Sequence, residues 1–259
     1  MKRLVLAVFL SLLTLACGPA PVEAPKPTSV ASVTEGALTV ELLSLAPLAV
    51  GQNRLFYKVT QDGKALTEAH LHQHPLMTMP TMQHSCPKVD PAHEVDTNGY
   101  FMGTVIFNMP SDAMNTWDLK LEVTPHGAST ATTVTFEKLA IADSTAKKML
   151  TMNGMATLVT LGFTAGAPKV GVNEYTVSVH RPKDMMKMEY LPVTDLSITG
   201  TPEMPSMGHG SSGNVDPVHV SDGLYTGTVN FSMAGDWVLH LDLKAGDMSL
   251  GKTDFAWDL

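Results

Sequence analysis

The sequence predicts an all-β chain of two tandem antiparallel β-sandwich domains, preceded by a signal peptide and a flexible tether. Three observations carry this prediction. Apolar residues recur every second position in short runs. Clusters of Gly, Pro, Asn and Asp punctuate those runs, as turns require. The second half of the chain also echoes the first, motif by motif. Length and composition agree. The 259 residues are enough for two ordinary domains, and 44% hydrophobic against 16% charged residues excludes wholesale disorder. A formal net charge of −8 disfavours a nucleic-acid footprint, and 2 Cys cannot build a disulfide-dense scaffold.

The N-terminus reads as a targeting segment. Lys2 and Arg3 precede an apolar run over residues 4–15, interrupted by Ser11 and Thr14 and short for a membrane span. It ends in Leu13-Thr14-Leu15-Ala16-Cys17, which resembles a bacterial lipobox. Residues 1–16 are therefore expected to be a lipoprotein signal peptide and Cys17 the lipidated mature terminus, with an ordinary signal peptide as the alternative. Residues 17–35, rich in Pro, Ala and Val, are expected to form a flexible tether. Removal of Lys2 and Arg3 leaves 15 Lys and Arg against 25 Asp and Glu, a net charge of −10. The expected location is the bacterial cell envelope, on its periplasmic or outer-membrane side, anchored to the membrane by the N-terminal lipid.

The first domain is assigned to residues 36–141. Its strand signals are Leu38-Val40-Leu42, Leu55-Tyr57-Val59, Val105-Phe107, Leu119-Leu121-Val123 and Val134-Phe136. A joint at residues 142–154 contains Lys147-Lys148 and the turn pair Asn153-Gly154. Residues 144–149 could form at most one helical turn. The second domain is assigned to residues 155–259, with Tyr175-Val177-Val179, Leu196-Ile198, Val229-Phe231 and Leu239-Leu241-Leu243 as strand signals.

The repeat is specific in its details. Gly51-Gln52-Asn53 recurs as Gly171-Val172-Asn173, and Met79-Pro80-Thr81-Met82-Gln83-His84 as Met204-Pro205-Ser206-Met207-Gly208-His209. Val89-Asp90-Pro91-Ala92-His93 recurs as Val215-Asp216-Pro217-Val218-His219, and Trp117 is answered by Trp237. This order of features resembles the YtkA-like domain family, related to FixH-type modules. The resemblance covers residues 36–137 and 156–257. It implies small immunoglobulin-like sandwiches of bacterial envelopes, with a role in copper handling or oxidase assembly and a copper protein or oxidase subunit as partner.

Methionine thioether is soft and suits Cu(I), and imidazole binds Cu(I), Cu(II) and Zn(II). The shared candidate metal set is therefore Met79, Met82, His84 and His93 in the first domain, and Met204, Met207, His209 and His219 in the second. Copper is the expected cofactor, with Cu(I) favoured. The first loop carries further donors: His70, His72, His74, Met77 and Cys86. If residues 69–74 form a strand, its three histidines make one outward row. Ser197, Thr199 and Thr201 replace that row in the second half. With Cys17 lipidated, Cys86 is a lone thiol. The rival reading is equally physical. A Met-Pro-x-Met pair at the end of a sandwich can be a hydrophobic plug, because Met fills irregular gaps. Val-Asp-Pro-x-His can be a turn with an Asp cap.

No Gly-x-Ser-x-Gly elbow, His-Glu-x-x-His, P-loop or Rossmann glycine set is present, so the chain is not expected to be an enzyme. The expected function is that of a copper chaperone, buffer or oxidase-assembly factor. The alternative is a structural or protein-interaction module of the envelope. A cupredoxin-like electron carrier is a third reading, with the placement of Cys86 after Met82 and His84 against it.

Overall fold

A computed structural model describes residues 25–184 and 189–259. The signal peptide, Cys17, the first part of the tether and the residues Met185, Met186 and Met188 lie outside the described residues. No helix occurs among the described residues.

The first unit runs β1 (Thr28–Glu35), β2 (Leu38–Ser44), β3 (Gly51–Gln61), β4 (Lys64–Ala65), β5 (Ala69–Thr78), β6 (Gln83–His84), β7 (Lys88–Val89), β8 (Phe101–Phe107), β9 (Thr116–Pro125) and β10 (Thr132–Leu139). The second runs β11 (Lys147–Met152), β12 (Met155–Phe163), β13 (Gly171–Asp184), β14 (Glu189–Pro192), β15 (Ser197–Met204), β16 (His209–Gly210), β17 (Val215–Ser221), β18 (Leu224–Phe231), β19 (Asp236–Ala245) and β20 (Met248–Asp258).

One sheet of the first unit has the order β1-β2-β3-β8-β7, with β4 on β3, and the facing sheet has the order β10-β9-β5-β6. The second unit repeats both as β11-β12-β13-β18-β17, with β14 on β13, and β20-β19-β15-β16. Every strand pairing of the first unit thus recurs ten strands later. Read from β2 and β12 onward, these are the A-B-E-D and G-F-C orders of the immunoglobulin fold, with β1 and β11 added outside the A strand. The chain is therefore all-β, two immunoglobulin-like sandwiches in tandem.

Alternation explains the sheets. Along β5, residues 69–77 are alternately buried and exposed, so Ala69, Leu71, Gln73, Pro75 and Met77 face inward. Each unit closes on its own core. Tyr57, Phe107, Trp117 and Phe136 fill the first, and Tyr175, Phe231, Trp237 and Phe255 fill the second. Each such ring, fully buried, contributes roughly 1.5–3 kcal/mol.

Two segments differ from the expected layout. The span assigned to the tether contains β1, paired with β2 over Thr28–Glu35. The joint contains β11, paired with β12 from Lys147 to Met152, where at most a helical turn was expected. Both are outer strands with little buried surface, so neither carries a strong apolar alternation.

The repeated Gly-x-Asn is a backbone clamp. The Asn53 amide accepts from Ala49 N–H (3.0 Å) and donates to Ala49 O (2.7 Å) and Gly51 O (2.9 Å). Asn173 does the same with Lys169 and Gly171. Gly51 and Gly171 sit at φ 107° and 100°, backbone that disfavours any side chain.

Candidate metal-binding hairpins

The Met/His motifs lie at the β5–β6 and β15–β16 hairpins, at one end of each sandwich. In the first, Met77 pairs across to His84 and, on its other side, to Trp117. The turn is closed by Met79 N–H donating to Met82 O (2.9 Å). In the second, Met204 pairs with His209 and lies beside Trp237, since Glu203 pairs with Val238. The N–H groups of Met207 and Gly208 both donate to Met204 O (3.1 and 2.9 Å).

The structural counterpart of Met204 is therefore Met77, not Met79. The first hairpin spans residues 77–84 and the second 204–209, so the first is two residues longer. Met77 and Met204 are fully buried plugs beneath the hairpins. A Cβ at Gly235 would overlap the Met204 methyl, so that glycine makes room for the plug. Met79 is partly buried against the first core. Met82 and Met207 are exposed at 46% and 62%, leaving two thioethers free at the tips.

The two hairpin histidines share one geometry. His84 Nδ1 lies 3.0 Å from Ser85 O, and His209 Nδ1 lies 2.9 Å from Gly210 O. A nitrogen held by a carbonyl carries the ring proton, which leaves Nε2 as the lone-pair nitrogen. The His84 ring meets Trp117 edge-on at 5.3 Å, and His209 meets Trp237 at 6.2 Å. His84 is buried and its Nε2 has no hydrogen-bond partner. A buried nitrogen lone pair of this kind ordinarily has a partner. The donor types suit a soft metal ion: a fixed imidazole tautomer, an orphaned Nε2 and, on the same hairpin, the uncharged thioethers of Met79 and Met82. The repeated tryptophans, Trp117 and Trp237, are tied to the backbone of Met109 and Met233. Each indole N–H donates to the methionine carbonyl, at 2.9 and 2.8 Å.

His93 and His219 are not part of these hairpins. The His93 carbonyl accepts from Ala69 N–H (2.9 Å) and its ring stands 4.0 Å from that of His70. His70 and Met77 are seven residues apart on β5, roughly 23 Å at ~3.3 Å per residue. His219 lies on the edge strand β17, its ring against Tyr225 at 5.2 Å. The structure thus keeps Met79, Met82 and His84 on one hairpin, and Met204, Met207 and His209 on the other, and separates His93 and His219 from both.

Val-Asp-Pro-x-His owes its repetition to its aspartate. Asp90 Oδ1 accepts from Gln73 N–H (2.8 Å), and Asp216 Oδ1 accepts from Gly200 N–H (2.9 Å). Each clasps the two sheets of its sandwich. Gln73, fully buried, also bonds Tyr57 Oη (2.5 Å) and Val89 O (2.7 Å). Burial would raise the Asp90 pKa, but the hydrogen bonds from Lys88 and Gln73 N–H prevail and hold it below the usual carboxylate range. The outward histidine row is present on β5, but its members have separate partners. His72 lies by Asp90 (3.3 Å) and His74 by Glu122 (3.6 Å). Cys86 is a free, buried thiol within the first core, its pKa pushed well up by burial. Among the described residues, no group of three His, Cys, Asp or Glu side chains is placed, as the side chains stand, so that it could hold a metal ion.

His126 and His180 escaped the motif reading. His126 follows β9 in a turn with no repeat counterpart, so duplication gave no signal. His180 is buried in β13, and its Nδ1 has no partner.

Fold and hairpins together define a class, tandem immunoglobulin-like sandwiches with a duplicated Met/His hairpin. The family is equally plain: the YtkA-like family model matches residues 33–122 and 159–242, and the chain belongs to that family. No curated protein matches. Among solved structures, the Escherichia coli adhesin FdeC matches at 17% identity and TM-score 0.28, over 88% of this chain and 65% of that chain. Domains 5–6 of the S-layer protein SbsC match at 11% identity and TM-score 0.29, over 90% of this chain and 97% of that one. This chain thus spans somewhat less than two thirds of the FdeC chain it matches.

Proposed function

We propose that this protein is a lipid-anchored envelope protein that holds Cu(I) at its Met/His hairpins and serves as a copper chaperone, buffer or oxidase-assembly factor rather than as an enzyme. The observation that carries the reading is the hairpin histidine, fixed through Nδ1 in both domains, with the His84 Nε2 buried and unpartnered. His84 with Met79 and Met82 would hold the ion in the first domain, and His209 with Met207 in the second. Buried Met77 and Met204 would back these sites as apolar support. A bound Cu(I) would be transferable cargo, exchanged through exposed thioethers without change of protein charge. Its partner would be a copper protein or an oxidase subunit in the envelope, and Cys17 would carry the lipid.

The test is Cu(I) titration of the purified mature protein, with bound copper counted by elemental analysis. About one or two ions per chain are expected. The combined Met79→Leu, Met82→Leu and Met207→Leu variant, which keeps volume and fold, should bind at least about tenfold more weakly. Unchanged binding in that variant, or none above background in the parent, would refute the reading.

A further inference from the structure

At the end of the first sandwich opposite its Met/His hairpin, three chain segments are tied together by their backbones. Ala69 N–H donates to His93 O (2.9 Å), Val95 N–H to Thr67 O (3.1 Å) and His126 N–H to Glu68 O (3.2 Å). Between them is a solvent-open cavity of ≈ 220 Å³, lined by Glu68, Ala69, His70, His93, Glu94 and His126. Apart from Ala69, each of these side chains offers a nitrogen or oxygen donor, and none is a thioether.

The geometry is partly organised. The His70 and His93 rings are 4.0 Å apart at an angle of 57°. His126 Nδ1 lies 3.6 Å from Glu68 Oε2. A carboxylate beside Nδ1 favours the proton there and frees Nε2, which is how outer carboxylates orient metal-binding histidines. Glu68 and His126 are exposed at 53% and 79% of their side chains, so rotation about χ1 and χ2 on a fixed backbone can bring the donors together.

We infer that this cavity binds a divalent transition-metal ion of the imidazole-preferring class, Zn(II) or Cu(II), through His70, His93 and His126, with Glu68 orienting His126. Imidazole and carboxylate without sulfur suit these ions and not Cu(I). The corresponding positions of the second domain do not repeat these donors. By strand register Ser197 stands where His70 does, and Gly246 where His126 does. The site is thus an addition to the first domain, independent of the duplicated hairpins, and it accounts for three histidines that the hairpins leave out.

Calorimetric titration of the full chain with zinc chloride at neutral pH tests this. Wild type should show one site, and His93→Ala and His126→Ala should each weaken it at least about tenfold. Glu68→Gln should weaken it about tenfold while retaining binding. His72→Ala, His74→Ala and Met82→Leu should leave it unchanged. Thermal unfolding without metal should match wild type for every variant, since these side chains are exposed. No zinc binding, binding that survives His93→Ala and His126→Ala, or binding lost equally in His72→Ala would overturn the assignment.

Discussion

His180 is held neutral by its surroundings. Burial pushes its pKa down to about 4, against an ordinary 6.5, and a hydrogen bond with the Asp222 backbone offsets only part of this. Unfolding restores the ordinary value, so between pH 6.5 and 4 the unfolded chain binds the extra proton. Stability present above pH 6.5 should therefore fall as pH drops to 4, by about 3 kcal/mol. Denaturant unfolding across that window should show the loss, and His180→Phe should flatten it; an unaltered slope in the variant would refute the assignment. His240 works in the opposite sense. Its hydrogen bond to Asp254 (2.6 Å), then that to Glu203 (3.0 Å), raises its pKa. Its contribution is complete below about pH 6.5 and is lost as pH rises through the raised value. Asp254→Asn should reduce that alkaline-side slope, with Glu203 keeping the smaller remainder, and leave the acid-side loss of His180 in place.

The hairpins and edge strands show how much of the fold and the candidate site the chain disclosed by itself. Alternation in β3, β8 and β9 was legible because both faces of those strands are settled by burial. β1 and β11 were not, since an outer strand pairs through its backbone and needs few apolar side chains. The Met/His loop was legible as a motif, but its register was not. Two extra residues in the first hairpin shift the plug from Met79 to Met77, and the pairings with His84 and Trp117 disclose this. Val-Asp-Pro-x-His was legible as a repeat, while its histidine and its aspartate have separate tasks. The plug-and-tip division yields a prediction. Met204→Ala should cost about 2–5 kcal/mol, as removal of a buried Met does. Met207→Leu should change stability by no more than about 0.5 kcal/mol, as exposed substitutions do. Equal losses in chemical denaturation would contradict the division.

At the scale of the molecule, the two sandwiches are stitched together. The Gln52 amide donates to Thr160 O (3.2 Å) and Thr176 O (2.8 Å), Ser144 Oγ donates to Val50 O (2.8 Å), and Asn108 Nδ2 donates to Tyr190 Oη (2.9 Å). Net contributions of ~0.5–1.5 kcal/mol per bond predict that Gln52→Ala lowers the coupling between units by about 1–3 kcal/mol. Unfolding followed by tryptophan fluorescence should then split into more widely separated transitions, because Trp117 reports one unit and Trp237 and Trp257 the other. A single unmoved transition would contradict that coupling. The duplicated hairpins remain the feature that most directly ties this architecture to the proposed function. X-ray absorption at the copper edge of the Cu(I)-loaded protein tests it most directly. The account predicts a shell of thioether sulfur together with imidazole nitrogen, with the nitrogen signal lost in the His84→Ala, His209→Ala double variant. Copper bound through oxygen and nitrogen alone, or a spectrum that the double variant leaves unchanged, would contradict it.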